Sequence, residues 1–346
     1  KFFLDGPHFA TGTMHYGHIL VSTVKDTMAR YFTMNGFKVD RRNSWDTHGV
    51  PIEMLAKNEI GYHTKEELLS YGIDKHNQIC RQLILKCAGQ WYTDFERIGR
   101  WIDIDREYKT MDTNYMESVI WAFKQLYENH MIVQKYTVMP YSTGCATVLS
   151  HFEAKQNYKE ISDPSVICCF TIVSTEHAVF QPRTDYPTNI LAWTTTPWTL
   201  PSNMAICANP NSIIIYAFDK KMQYYVLVSK DKFMTSMTKL KYGDIKRVEI
   251  ISELPASDLA NIEYKPPFPE FYFRDESQLI TERPFRIILD QFVIEGENFG
   301  TGFVHCAPAF GPEDFKVCCS CHIIDARNTK KNLINPIDDN GCFTKS

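Results

Sequence analysis

The run GPHFATGTMHYGH, residues 6–18, decides how the front of this chain folds. It follows the strand-like FFLD of residues 2–5. It leads into GHILVSTVKDTMARYFTMNG, residues 17–36, where Ile19, Val24, Met28 and Tyr31 recur near helical spacing. A strand-to-helix turn is expected, with Gly36 ending the helix. Such a turn collects anions, because the first N–H groups of a helix lack partners and carry the positive end of its dipole. Gly12 and Gly17 allow backbone to approach a ligand closely. His15 and His18 are three apart and share a helix face, where two imidazoles can donate hydrogen bonds to phosphate oxygens as charge builds on them. The chain has no GxxxxGK[ST] loop for that role. Taken alone, HxGH is equally compatible with two histidines that merely cap a helix.

Outward from this turn, FKVD at residues 37–40 reads as the next strand, and helices are expected over 75–97 and 114–128. RRNSWDTHGVPIE, residues 41–53, then lies at the C-terminal end of a strand, where α/β sheets bind ligands. Asp46 there could pair with an ammonium group, or simply start a turn or cap the helix after Pro51. ERIGRWIDIDREYKTMD and MESVIWAFKQLYENHMI carry no derivable chemistry. After about residue 140 the texture changes to short strands divided by Pro, Gly and Asn: ICCFTIV, NILAWTTT, SIIIYAF, YYVLVS and FRIILDQFVI. That spacing points to a β-rich, barrel-like second domain.

In that second part, LAWTTTPWTLPSNMAI, residues 191–206, ends a strand on Thr194, Thr195 and Thr196, whose hydroxyls would alternate between faces. Those hydroxyls and Asn203 could position a water and the ribose end of an ester; β propensity alone would also explain the threonines. GTGFVHCAPAFGPEDF, residues 300–315, adds Asp314 as an anchor for a second ammonium and His305 as a wall or water-positioning residue. KVCCSCHII, residues 316–324, gives Cys318 and Cys321 zinc-knuckle spacing, but a site would need Cys306 or Cys342 as well and there is no second CxxC. Buried thiols on a helix are the expectation, no metal site is assigned, and Cys145, Cys168 and Cys169 are read as structural.

The 346 residues suggest two domains, with 44% hydrophobic and 23% charged residues, as in ordinary globular protein. The longest apolar run, SVICCFTIVS at 165–174, is a buried strand by its β-branched content and far too short to span a membrane. Eleven cysteines without disulfide-like spacing point to a reducing compartment. The net charge of −4 argues weakly against nucleic acid, although RNA contact needs only a local basic face. The pairs Lys220–Lys221, Lys246–Arg247 and Lys330–Lys331 read as solvated faces.

The combined runs resemble the class I aminoacyl-tRNA synthetases, whose signature is H-I-G-H. The DGP, ATG and HYGHIL form is most similar to the isoleucyl type of the eukaryotic cytosol. The resemblance covers the whole chain but only the front of such an enzyme; a K-M-S-K-S-like loop is not found. It implies an α/β fold: the first half of a Rossmann-like nucleotide-binding domain over 1–140, with ERIGRWIDIDREYKTMD and MESVIWAFKQLYENHMI as the helical part before the insertion, a connector over 141–164, and an inserted β-barrel-like editing domain over 165–346. The isolated chain is then expected not to aminoacylate.

The resemblance also implies the substrates and site residues. ATP with Mg²⁺ would meet Gly12, His15, Gly17 and His18, the histidines being catalytic. Isoleucine would be held by Gly6, Pro7 and Asp46. Mischarged valyl-tRNA(Ile) would be hydrolysed among Thr194, Thr195, Thr196, Asn203, His305 and Asp314. Partners would be tRNA(Ile), and for the longer protein a multi-synthetase assembly in the cytoplasm. His8 departs from the family's usual second proline and falls near the amino-acid pocket. One methylene in an apolar pocket is worth only about 1–3 kcal/mol, a general limit for which isoleucyl enzymes are themselves the standard illustration. A second, smaller hydrolytic pocket would supply the missing selectivity. Valyl or leucyl enzymes, a free-standing editing hydrolase, a non-catalytic tRNA-binding module and a small-molecule nucleotidyltransferase with HxGH are the alternatives.

Overall fold

A computed structural model describes residues 2–4, 6–9, 11–173, 186–238, 245–269, 284–293, 300–327 and 333–344. The chain divides into two compact units, Lys1–Val133 and Gln134–Ser346.

The first unit runs β1 (Phe2–Leu4), β2 (His8–Phe9), α1 (Tyr16–Met34), β3 (Asp40–Asp46), α2 (Val50–Ile60), α3 (Lys65–Tyr71), α4 (Ile73–Arg97), β4 (Asp103–Lys109) and α5 (Thr113–Glu128). All its strand pairings are parallel. Arg42 of β3 pairs with both Leu4 and Asp103, and Trp45 pairs with both His8 and Lys109. β1 and β2 therefore occupy successive stretches of one edge of β3, and β4 takes the other. The core beside this sheet is Trp45, Ile52, Ile84, Ala88, Trp91 and Phe95. Burying each such side chain contributes about 1.5–3 kcal/mol, so these six hold α2 and α4 to the sheet.

Three expectations change in this unit. The strand lies at Asp40–Asp46, not at residues 37–40, so RRNSWD is the strand itself and Asp46 is its last residue. Asp103–Lys109 is a strand, not helix. Both were hidden for one reason: β3 is paired on both sides and buries polar Asn43 and Ser44 beside Trp45, so neither strand shows apolar alternation. On α1 the spaced apolar residues do not mark a buried stripe. Val24, Met28 and Tyr31 are exposed, and the buried positions are Ser22 and Ala29. The helix ends at Asn35, with Gly36 following at φ +82°.

The second unit runs β5 (Tyr141–Ser142), β6 (Thr147–Val148), α6 (His151–Ala154), β7 (Val166–Thr171), β8 (Thr188–Thr194), a 3₁₀ turn (Pro197–Ser202), β9 (Ala205–Ala208), β10 (Ile213–Asp219), β11 (Tyr224–Ser229), α7 (Lys230–Thr238), β12 (Val248–Pro255), β13 (Arg286–Leu289), β14 (Phe303–Cys306) and α8 (Pro312–Ser320). Five strands form a sheet in the order β12-β10-β11-β8-β7, and three form another in the order β13-β9-β14. Phe170, Ile190, Leu227 and Tyr225 of the first sheet and Ile206, Ile287 and Phe303 of the second share one core. Phe233 and Met237 of α7 cover the far face of the larger sheet. Val317 and Cys318 of α8 cover the far face of the smaller one. The layers are thus helix, sheet, sheet, helix. Among the described residues neither sheet closes, which corrects the barrel-like expectation to two packed open sheets.

β7 is an edge strand that buries Phe170 while Cys169 stays exposed, so it is not buried throughout. Lys220 does lie on a solvated face, paired with Glu249 at 3.1 Å. Arg247 instead reaches inward, 3.0 Å from Asp219, whose side chain is fully buried. Lys330 and Lys331 lie outside the described residues. No helix among the described residues is long and apolar enough to cross a membrane.

Candidate functional site

Two sets of polar groups stand out, one in each unit. In the first, His15 is the N-cap of α1 in extended backbone, and its Nδ1 accepts the Gly17 N–H at 3.1 Å. His18 reaches back, its Nδ1 accepting the His15 N–H at 3.3 Å, which completes a capping box made of imidazoles. The rings stack with centroids 3.7 Å apart, and His18 leans on Trp91 at 4.6 Å. An Nδ1 that accepts leaves the ring proton on Nε2. Both rings therefore carry an Nε2–H donor at the positive end of α1. Burial, with the neighbouring His15 and His8, holds His18 below the usual histidine range, so it is neutral at pH 7.

Gly17 has a local reason to be glycine: a Cβ would sit 3.0 Å from the His15 ring. The missing side chain leaves room for that imidazole. The Gly12 carbonyl is taken by Trp91 Nε1 at 2.7 Å, and the Gly6 carbonyl by Lys25 Nζ at 3.1 Å. Gly6 and Pro7 form the break between β1 and β2. The register sets Asp46 beside Phe9 and His8 beside Trp45. His8 is buried among Trp45, Trp91 and Phe95, and its Nε2 lies 3.0 Å from Arg100 Nη1, which can only donate.

In the second unit a cavity of about 710 Å³ brings Thr194, Thr196, His305 and Asp314 together with Thr199, Trp198 and Phe310; Asp338 and Asp339 also line it. β8 ends at Thr194, and the 3₁₀ turn starting at Pro197 folds the next residues back. The Thr194 and Thr196 hydroxyls meet at 3.3 Å, and the Thr196 N–H donates to Thr194 Oγ1 at 3.1 Å. Thr195, the middle of the triplet, is exposed and does not line the cavity. Asp314 lies in the first turn of α8, and its Oδ2 accepts the Ala307 N–H at 2.9 Å. Burial raises its carboxyl above the usual range, against the pull of that N–H and with a push from Glu313.

His305 is buried, and burial alone lowers its imidazole to about 4. Asn203 corrects an expectation. It is fully buried, stands behind the wall, and bonds His305 Nδ1 at 3.0 Å rather than facing a ligand. Thr199, which holds His305 Nε2 at 2.8 Å, was missed; its only signal was a fourth threonine, in the PWTLP turn just after the triplet. Cys306 packs against Cys207 and Cys318 in the layer under α8, and its hydrogen bonds with Cys207 and Cys318, together with burial, raise its thiol well above the usual range. Among the described residues no three His, Cys, Asp or Glu side chains are placed to share a metal ion.

Chemically, the first site can donate to an anion from two imidazoles and a helix end. The second can hold a cation at Asp314 beside a hydroxyl shelf and an apolar wall of Trp198, Val304 and Phe310.

Comparison with known proteins gives the family. The chain is 43% identical to the cytoplasmic isoleucine–tRNA ligase of Saccharomyces cerevisiae over 99% of its length. It is 42% identical to a probable cytoplasmic isoleucine–tRNA ligase of Dictyostelium discoideum, again over 99% of this chain. It spans about 30% of the length of these relatives. A solved leucyl-tRNA synthetase editing domain of P. knowlesi aligns with 44% of this chain and 59% of its own, at 13% identity and a TM-score of 0.32. The family model of class I tRNA synthetases (I, L, M and V) matches residues 1–263, and the chain belongs to that family.

Proposed function

We propose that this chain is the nucleotide-facing and editing portion of a cytoplasmic isoleucine–tRNA ligase. The observation that carries the isoleucine assignment is the 43% identity across 99% of the chain. These relatives favour the isoleucine reading over the valyl and leucyl alternatives. The first unit is then the front half of a Rossmann-like domain, and the second carries the connector of residues 141–164 followed by the editing insertion.

In the synthetic reaction the carboxylate of isoleucine attacks the α-phosphorus of ATP, the nucleotide arriving as its magnesium complex. Isoleucyl-adenylate forms and pyrophosphate leaves; the acyl group then passes to the terminal ribose of tRNA(Ile). His15 and His18 offer their Nε2–H groups to phosphate oxygens, an electrostatic task that needs no proton transfer. Asp46, at the C-terminal end of β3, takes the isoleucine ammonium. In the editing reaction Asp314 takes the ammonium of a valyl ester, Thr194 and Thr196 face its ribose, and the apolar wall limits side-chain size.

The experiment is deacylation by the full-length enzyme offered valyl-tRNA(Ile), threonyl-tRNA(Val) and a misacylated leucine tRNA, with Asp314→Ala alongside. Hydrolysis of the first alone, lost in the variant, is the expected result. Turnover of either of the others in its place would overturn the isoleucine assignment.

A further inference from the structure

Behind the cavity wall runs a chain of buried hydrogen bonds that ends on a residue with no role so far, Tyr264. It is 1% exposed, and its ring packs against Phe170 and Phe285. Its hydroxyl donates to Asn203 Oδ1 at 2.6 Å. The Asn203 amide nitrogen lies 3.0 Å from the Ala205 carbonyl and 3.0 Å from His305 Nδ1. A carbonyl oxygen only accepts, so the NH₂ end must face Ala205, and its second hydrogen points at Nδ1. Nδ1 is therefore an acceptor and the ring proton sits on Nε2, 2.8 Å from Thr199 Oγ1. Thr199 in turn gives its own hydrogen to the Thr196 carbonyl at 2.8 Å. Every direction in the series is fixed, from Tyr264 through Asn203, His305 and Thr199 to the threonine shelf.

We propose that Tyr264 is a positioning residue for hydrolysis in this cavity: by anchoring Asn203 it holds His305 as the neutral Nε2–H tautomer, a strut of the wall and not a proton shuttle. The proposal deepens the editing reading and rests on it. A protonated imidazole would turn an Nδ1–H against the Asn203 NH₂, two donors facing each other in a buried space. The surrounding ionisable groups do not oppose this. They are Asp314, Asp338 and Asp339, which line the cavity with His305, and the adjacent Cys306 on β14. None contributes to the depression of the His305 pKa, which comes from burial alone.

The test uses full-length enzyme with ¹⁵N-labelled histidine, His305 being assigned by difference from His305→Gln. Long-range ¹⁵N–¹H spectra are expected to show the Nε2–H pattern for His305, unchanged from pH 8 to pH 5.5. In Tyr264→Phe, with Asn203 no longer anchored, the ring should show a mixture of the Nε2–H and Nδ1–H patterns. Deacylation of valyl-tRNA(Ile) should fall by roughly tenfold, as expected for about 1.4 kcal/mol, with aminoacylation unchanged. An Nδ1–H pattern or a titration near pH 6.5 in the parent enzyme would overturn the proposal, as would a Tyr264→Phe enzyme with unaltered spectra and deacylation. The two failures separate: a parent enzyme with the Nε2–H pattern that deacylates no mischarged tRNA removes the editing reading, whereas active deacylation with the wrong tautomer removes only this one.

Discussion

At Asp314 the function asked of a side chain and the cost of burying it pull in opposite directions. Its folded pKa is raised, chiefly by desolvation. The native state therefore binds protons that the unfolded state has released, between the ordinary carboxylate value and the raised one. Stability falls as pH climbs through that window, and the cost is constant above it. Asp314→Asn keeps an oxygen for the Ala307 N–H, so its thermal midpoint at pH 7 should equal or exceed that of the parent, with the slope above pH 4 reduced. Deacylation should nonetheless fall by roughly one to two orders of magnitude, the loss of a charge-assisted hydrogen bond worth about 1.5–3 kcal/mol. Differential scanning calorimetry and a deacylation assay check both halves.

A neighbouring glycine gives a second prediction at this scale. A Cβ on Gly311 would stand 2.5 Å from Asp314 Oδ2 and 2.7 Å from its Cγ, so Gly311→Ala must push the carboxylate off its place. Editing should drop nearly as far as in Asp314→Asn, while synthesis is untouched, and a crystal structure of the variant would show the displaced carboxylate. Asp314 was legible in GPEDF because a carboxylate in a first helical turn invites a cation. The need for glycine three residues earlier was not, because only the folded path of the loop brings the two together.

Among the elements, β3 and β4 depend on a carboxylate that no pattern announced. Glu107 accepts from Asn43 Nδ2 at 3.1 Å, Trp45 Nε1 at 2.8 Å and Tyr92 OH at 2.6 Å, and is paired with Lys109. Burial works to raise its pKa, but the bonds from Lys109, Tyr92, Trp45 and Asn43 overcome it and leave the carboxyl below its ordinary value. A depressed carboxylate adds stability that is present above the ordinary value and lost as pH falls through the folded one. Glu107→Gln replaces one acceptor with a donor among four donors. The first unit should lose about 1–3 kcal/mol at pH 7, and the gap from the parent should narrow as pH falls below the ordinary glutamate value and through the lowered folded one, where the parent too becomes protonated. Urea unfolding followed from neutral to acid pH measures this.

The same arrangement explains why these strands escaped the sequence reading. Asn43 of one strand donates to Glu107 of the other, and with polar groups turned inward hydropathy marks neither RRNSWD nor DIDREYK as a strand. α4 was placed to within two residues because a long amphipathic run with Trp91 and Phe95 on its buried face needs no partner to be recognised. The strands of the second unit were found because YYVLVS and SIIIYAF are apolar enough to be buried on both faces. Closure was misjudged, since strand spacing says nothing about whether edges meet.

For the whole molecule, the two chemistries lie in two separately cored units, and this makes them separable. α5 has no buried residue among those described and turns Val119, Ile120, Trp121 and Phe123 outward. α1 exposes Tyr16, Leu20 and Met34. Such contiguous apolar faces are interaction surfaces or aggregation liabilities, and the relatives extend to more than three times the length of this chain. The isolated 346-residue chain should therefore bind a hydrophobic dye at its first unit and give no isoleucine-dependent pyrophosphate exchange. In the full-length enzyme, His15→Ala with His18→Ala should abolish that exchange, because the Nε2–H donors at the start of α1 are gone. Hydrolysis of pre-formed valyl-tRNA(Ile) should stay at the parent rate, because neither histidine belongs to the unit that holds Asp314 and Thr194. Asp314→Ala should do the reverse. If the histidine pair silenced deacylation as well, the editing chemistry would depend on the nucleotide site, and two cores in one chain would not mean two independent activities.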